Sequence, residues 1–515
     1  MRLLCLIVGI LSAPSAMAAE TTFTHMNTPG PHAVGFKLVE QYDRARSYRG
    51  AIDPVTGKPF MGERARPVQT WVWYPADKTS APVMTLGDYE KLAATADSFP
   101  STPADRVALV RAQLGNMAEA VSGVMTPQQF MAKLATPLTA HREAAAETGR
   151  FPVIIYAASF NATPLENADL CEYLASQGYI VIGVDSIGQA SRLMTISLEG
   201  AEAQAADIGF AIGYAGSLPQ ADTNRLAVIG YSWGGLANVL AAAKDSRIGA
   251  LVVLDGSVTN PSPLFGQATY ATEARATAPM LYVASGTVPA GMKGVSFDRP
   301  DSPINHMKYA DIYRVTLAPM MHQNFSETAL RFGIGPGIAG QDMGKLSSAT
   351  VWMETYTLRF LDAYLKDDGK SHAFLDLPPA EAGASVDLVT SRVTHAEALP
   401  PTRVTFAAEL GRQGFDQAPV VYQAFRTRDP DFALTPAELV SWGYDLLARN
   451  DLPEAIAILK LNTDLHPDDW NAFDSLGEAY ADHGDAALAI AAYRQSLVLN
   501  PQNTNATDHL KSLGA

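Results

Sequence analysis

The 515-residue chain contains only two cysteines, Cys5 and Cys171. It has no surplus of positive charge: 38 Lys and Arg stand against 53 Asp and Glu, for a formal net charge of -15. Beyond its first residues it has no uninterrupted apolar run of the ~18 residues that would suggest a bilayer span. Each shortage excludes something. An acidic chain without a basic face is a poor match for nucleic acid or an anionic membrane surface. The scarcity of cysteine excludes a disulfide framework. Cys5 lies in a removable leader (below), which leaves Cys171 alone in "ADLCEYLASQG". That stretch has helical periodicity, and a buried structural thiol is expected there.

The leader begins with the positive Arg2, continues through "LLCLIVGIL" and ends in "AMA" (Ala16 to Ala18). This is the pattern of a secretory signal peptide over residues 1–18, with an apolar stretch too short to span. It predicts a periplasmic or secreted protein with no membrane span. The full chain is 47% apolar and 18% charged, an ordinary globular composition. Its length calls for two or three domains.

From about Val34 to Leu365, short β-rich runs alternate with Ala- and Leu-rich helical stretches. Strands are expected at "GFKLVEQYD", "QTWVWYP", "FPVIIYAAS", "YIVIGVDS", "RLAVIGY", "GALVVLDG", "PMLYVASG" and "IYRVTLA". The later runs carry Val, Ile and Leu on both faces, which suits parallel strands covered by helices on both sides. The helix "ATVWMETYTLRFLDAYL" closes this unit, assigned to residues 19–370. Residues 84–150 read as a helical insertion, a candidate cap over the site. Residues 371–401, rich in Pro and Ala, read as a linker.

The last segment, 402–515, repeats itself. Gly443, Ala455 and Pro467 recur 34 residues on as Gly477, Ala489 and Pro501. Each copy reads helix, turn, helix, Pro. A degenerate earlier copy places Ala418 and Pro430 37 residues before Ala455 and Pro467, and "TNATDHLKSLGA" serves as a closing helix. The period and the small-residue positions resemble the tetratricopeptide repeat. Such repeats predict a protein partner, self-association or a brace for the first domain.

The chemistry centres on "VIGYSWGG". Gly230-Tyr231-Ser232-Trp233-Gly234 is G-x-S-x-G between a strand and a small-residue helix. The turn is so sharp that side chains two positions either side of the Ser would collide, hence the two glycines. The Ser then sits at the helix N-terminus, where free amides favour developing negative charge. A hydroxyl needs a base to react. His322 follows the last expected strand and is the candidate base; His306 is a weaker candidate for substrate contact. The acid should lie between them at a strand end. "PMLYVASGT" ends without a carboxylate, whereas "GALVVLDG" ends in Asp255, which can orient an imidazole. Asp298, Asp301, Asp311 and Asp185 compete for this role. The oxyanion requires two aimed backbone N–H groups. Trp233 is expected to supply one and Phe160, in the turn after "VIIYAAS", the other.

"GYSWGG", "LDG" about two dozen residues later and "HQNF" make the chain resemble the α/β-hydrolase superfamily. Within it, the likeness is to the platelet-activating factor acetylhydrolase group and bacterial relatives near dienelactone hydrolase. The resemblance implies Ser232 as nucleophile, Asp255 as acid, His322 as base and the turn after "VIIY" as oxyanion loop. It departs from the family at that loop, where His-Gly-x-Gly is common and this chain has "AASFN". It implies ester hydrolysis with no metal or other cofactor. The expected substrate is a small or lipid-like carboxylic ester. Amide or peptide cleavage by the same residues, and a repeat-based interaction protein with a hydrolase scaffold, are the alternatives.

Overall fold

The computed structural model describes residues 23–99, 102–258, 263–271, 276–287, 302–335, 338 and 340–515. The expected signal peptide lies outside them, as do Asp298 and Asp301. The chain divides into two compact units, Met1–Glu397 and Ala398–Ala515.

The first unit is built on one 11-stranded sheet ordered β11-β10-β9-β8-β7-β5-β6-β2-β1-β4-β3. β1 (Ala33–Ser47) and β2 (Ala65–Ala76) form an antiparallel pair. β5 (Phe151–Ala157), β6 (Ile180–Val184), β7 (Ala221–Tyr231), β8 (Ile248–Leu254), β9 (Met280–Ser285) and β10 (Ile312–Leu317) run parallel. Their centres are buried on both faces because helices lie above and below: Val153, Ile155, Val228 and Val253 enter one core, Ile154, Tyr156, Ile229 and Val252 the other. The helices include α4 (Ala168–Ser176), α5 (Leu198–Ala215), α6 (Trp233–Ala242) and α9 (Met343–Lys366). Cys171 is fully buried in α4. No helix among the described residues is long and apolar enough to cross a membrane.

All eight expected strands are present in the sheet. The three not expected sit at its edges. β3 (Val83–Thr85) and β4 (Pro137–Arg142) bracket the insertion and pair with each other, and β4 also runs parallel to β1. The insertion is therefore not wholly helical: its two ends add strands to one edge of the sheet, and it is helical between them, in α1 (Leu86–Ala93), α2 (Pro103–Val121) and α3 (Pro127–Leu134). Tyr89 of α1 accepts from the Trp73 indole and donates to Glu172 of α4 at 2.6 Å. Among the described residues, no hydrogen bond or ring contact of this insertion reaches Ser232, Asp255 or His322.

The third edge strand corrects the linker assignment. Residues 371–401 hold most of α10 (Gly369–Asp376) and all of β11 (Val389–Thr394), which pairs antiparallel with β10. The last parallel strand would otherwise expose a row of backbone N–H and C=O groups, and β11 satisfies them. Its polar alternation, "VTSRVT", suits an edge and hid it within a Pro- and Ala-rich stretch.

The second unit consists of antiparallel helix pairs: α11 (Arg403–Gln413) with α12 (Ala418–Arg428), α13 (Pro436–Ala448) with α14 (Leu452–Leu465), and α15 (Trp470–His483) with α16 (Ala486–Leu499), closed by α17 (Thr504–Ser512). A Cβ on Gly443 would lie 2.5 Å from the Leu459 side chain, and one on Gly477 would lie 2.8 Å from the Tyr493 ring. The repeated glycine is thus the place where each helix accepts a bulky residue of its partner.

Glu90 and Glu172 are buried in the first unit, and burial pushes each carboxyl up to about 7. A pKa raised in the fold stabilises fully below the unfolded value near 4.5, and that contribution is lost as pH rises toward 7. Glu90→Gln removes the titration. The variant should therefore gain melting temperature relative to wild type between pH 5 and pH 8, as measured by paired thermal melts; a difference that stays constant with pH would contradict the assignment.

Candidate active site

Ser232 stands between β7 and the first residue of α6, with φ 54° and ψ -114°. A non-glycine residue there is strained, and the surrounding contacts hold it. Its N–H donates to the Leu254 carbonyl at 3.0 Å. A Cβ on Gly230 would come within 2.4 Å of the Gly234 backbone, and one on Gly234 within 2.2 Å of the Ala157 carbonyl oxygen. Gly235 and Gly256 meet similarly: a Cβ on either would lie 3.0 Å from the other's Cα. The two "GG" and "LDG" turns are packed backbone to backbone, which sets β8's end beside the serine.

That end carries Asp255, also at positive φ, 45°. Its Oδ1 accepts the Ser285 N–H at 2.8 Å, and its Oδ2 lies 2.7 Å from His322 Nδ1. His322 Nε2 is 2.8 Å from Ser232 Oγ. The three residues, 67 and 90 positions apart along the chain, thus form one continuous line of hydrogen bonds. Asp255 is nearly covered (side chain 12% exposed) while His322 is open (41%), so the carboxyl is sheltered and the imidazole is reachable. His322 opens a short 3₁₀ turn, His322–Phe325, after β10. Tyr231 donates to its carbonyl at 2.8 Å, and Phe325 stacks on Tyr231 from the buried side. Asn324 accepts the Met321 N–H, closing the turn. "HQNF" is therefore a structural cassette that aims one imidazole.

The two competing carboxylates among the described residues have other occupations. Asp185 accepts the Trp71 indole N–H, and Asp311, at the opposite end of β10, accepts the Tyr364 hydroxyl and the Ala396 N–H. His306 follows the 3₁₀ turn Pro303–Asn305, before β10. Met320 and Phe325 are fully buried and belong to the core.

The expected oxyanion residues are adjacent. The Phe160 and Trp233 rings meet edge to face, with centroids 5.4 Å apart. Trp233 is the first residue of α6, where a backbone N–H has no carbonyl one turn back within the helix.

Sequence reasoning missed the support of this loop. Glu166 is buried and accepts the Ser159 N–H at 2.7 Å, the Ser159 hydroxyl at 2.5 Å and the Tyr156 hydroxyl at 3.0 Å. Burial pushes its carboxyl up to about 7, against the opposing pull of those hydrogen bonds and of His322. The next residue, Asn167, accepts the Glu327 N–H, and Ser326 donates to the Glu166 carbonyl. The loop bearing Phe160 and the segment following His322 are thus tied to the same turn, Pro164–Asn167. "PLEN" gives no motif signal, because the role depends on residues far away in sequence. Glu166→Ala should lower kcat by about 10- to 100-fold with KM near wild type, a fraction of the effect of losing an oxyanion donor outright. Steady-state kinetics on one ester would check this; an unchanged kcat would contradict it.

A serine, a histidine and an aspartate hydrogen-bonded in line at the ends of parallel strands have the arrangement of a serine-hydrolase triad. Residues 68–260 match the family model of X-Pro dipeptidyl-peptidase (S15 family), a stretch that includes Ser232 and Asp255 and stops before His322. Among solved structures, the chain is similar to ferulic acid esterase from Streptomyces cinnamoneus, with 18% identity and a TM-score of 0.48, covering 71% of this chain and 98% of that one. No curated protein matches the sequence.

Proposed function

We propose that the protein hydrolyses carboxylic esters through an acyl-enzyme intermediate. The reading rests on one observation, the line from Ser232 Oγ through His322 to Asp255. His322 removes the hydroxyl proton as Ser232 attacks the carbonyl carbon, and Asp255 stabilises the resulting imidazolium. The N–H groups of Trp233 and Phe160 receive the oxyanion. His322 returns the proton to the departing alcohol, then activates a water that releases the acid and regenerates Ser232.

A second reading, cleavage of an X-Pro peptide bond by the same residues, is favoured by the family match over 68–260. Parallel kinetics on p-nitrophenyl butyrate and an X-Pro p-nitroanilide separate the two. A larger kcat/KM on the ester supports esterase action. A larger value on the anilide overturns it in favour of the peptidase.

The leader supports export to the periplasm or exterior. The 34-residue period and its Gly443/Leu459 and Gly477/Tyr493 seats support reading 402–515 as tetratricopeptide repeats that hold a protein partner or a second copy.

A further inference from the structure

We propose that His25, Glu327 and Glu354 form a site for one divalent transition-metal ion of the zinc type, separate from the serine centre. His25 Nε2 lies 2.7 Å from Glu354 Oε1, and one ligand atom from each of the three residues lies within 4.8 Å of the others. A zinc ion with bonds of about 2.0–2.2 Å holds tetrahedral ligand atoms roughly 3.3–3.5 Å apart. An ion therefore fits if the His25–Glu354 contact opens by under ~1 Å and any ligand pair near the 4.8 Å limit closes by somewhat more than ~1 Å.

The charges call for a cation. Glu327 and Glu354 are both fully buried. Glu327 Oε2 accepts the Leu170 N–H at 3.0 Å, but its Oε1 receives no N–H and meets only the carboxyl of Glu354. A buried carboxylate oxygen left unpaired is costly, and a second carboxylate beside it raises the cost. The nearby guanidinium, Arg331, is already matched by Asp169 in a two-bond pair at 2.6 and 2.7 Å. One imidazole is left facing two carboxylates. A dication neutralises both carboxylates and binds the imidazole in its neutral form. One imidazole with two carboxylates is a donor set that suits zinc.

The surroundings provide an outer layer and a path. Asn27 donates to Glu354 Oε2 at 2.5 Å, fixing the carboxylate plane as outer partners of metal ligands do. The His25 side chain is 18% exposed, so the ion can enter from that side. His25 belongs to the segment before β1, Glu354 to α9 and Glu327 to α8 (Glu327–Phe332). The ion would fasten the start of the domain to two helices. Through the Glu327 N–H on Asn167 it would also stiffen the turn that supports the Phe160 loop.

The test uses the full chain, stripped with a chelator and titrated with ZnCl2. One zinc per chain by calorimetry and elemental analysis is expected, with a melting temperature raised by several degrees. Glu327→Gln and Glu354→Gln should each weaken binding by at least tenfold. If either buried variant fails to fold, His25→Ala, at the exposed edge, replaces it with the same expectation. Absence of stoichiometric zinc overturns the proposal and leaves a shared proton between the carboxyls. So does zinc that binds equally well to the folded variants, which would place the ion on other histidines.

Discussion

Ser232→Ala should reduce ester turnover by about 10⁴- to 10⁶-fold and abolish labelling by a fluorophosphonate probe. Removing the nucleophile of an interlocked triad costs nearly as much as removing all three members, because the base then has nothing to activate. The residual rate comes from binding and the oxyanion donors. The substitution removes one oxygen and leaves the packing of Gly230, Gly234 and Gly256 intact. The melting temperature should therefore stay close to that of wild type, since the strained φ of 54° is retained and only one part-buried contact, to His322, is lost. Kinetics on p-nitrophenyl butyrate together with a thermal melt check both halves. Wild-type turnover in the variant would remove Ser232 from the mechanism.

Asp255→Asn should lower kcat by about 10⁴-fold, again without unfolding the protein. The local hydrogen bonds explain why. Oδ1 of Asp255 accepts the Ser285 N–H, which can only donate. An asparagine there must keep its carbonyl oxygen toward Ser285, which turns its NH2 toward His322 Nδ1. That nitrogen must then accept, so the ring proton moves to Nε2, facing Ser232. The serine hydroxyl thereby loses its proton acceptor while every heavy atom stays in place. Fluorophosphonate labelling should become slow yet still reach one per chain, which distinguishes a wrong tautomer from a lost fold. Rapid labelling would show that another carboxylate orients the imidazole.

Sequence and structure divide the protein along a physical line. The eight central strands, the G-x-S-x-G turn and the 34-residue period were all legible, because each depends on residues close together in sequence. A strand buried on both faces must be apolar at every position, and a turn at Ser232 cannot admit side chains at 230 or 234. The edge strands β3, β4 and β11 were not legible. Strands at or next to an edge are short, polar and half-solvated, and what defines them is a partner strand far away in sequence, as β10 is to β11 and β1 to β4.

The same division runs through the site. The sequence by itself determined which serine stands in a strained turn and which histidine follows the last parallel strand. It narrowed the acid to a few aspartates without closing the choice, since several lie near strand ends or in loops. Among the described carboxylates, the tertiary structure brings Asp255 to His322 Nδ1, because β8 lies beside β7 and its turn packs against Gly235. It also disclosed Glu166, whose three hydrogen bonds come from Ser159 and Tyr156, and the pairing of Glu327 with Glu354. Burial and carboxylate contact are properties of the packed chain, and no local pattern carries them.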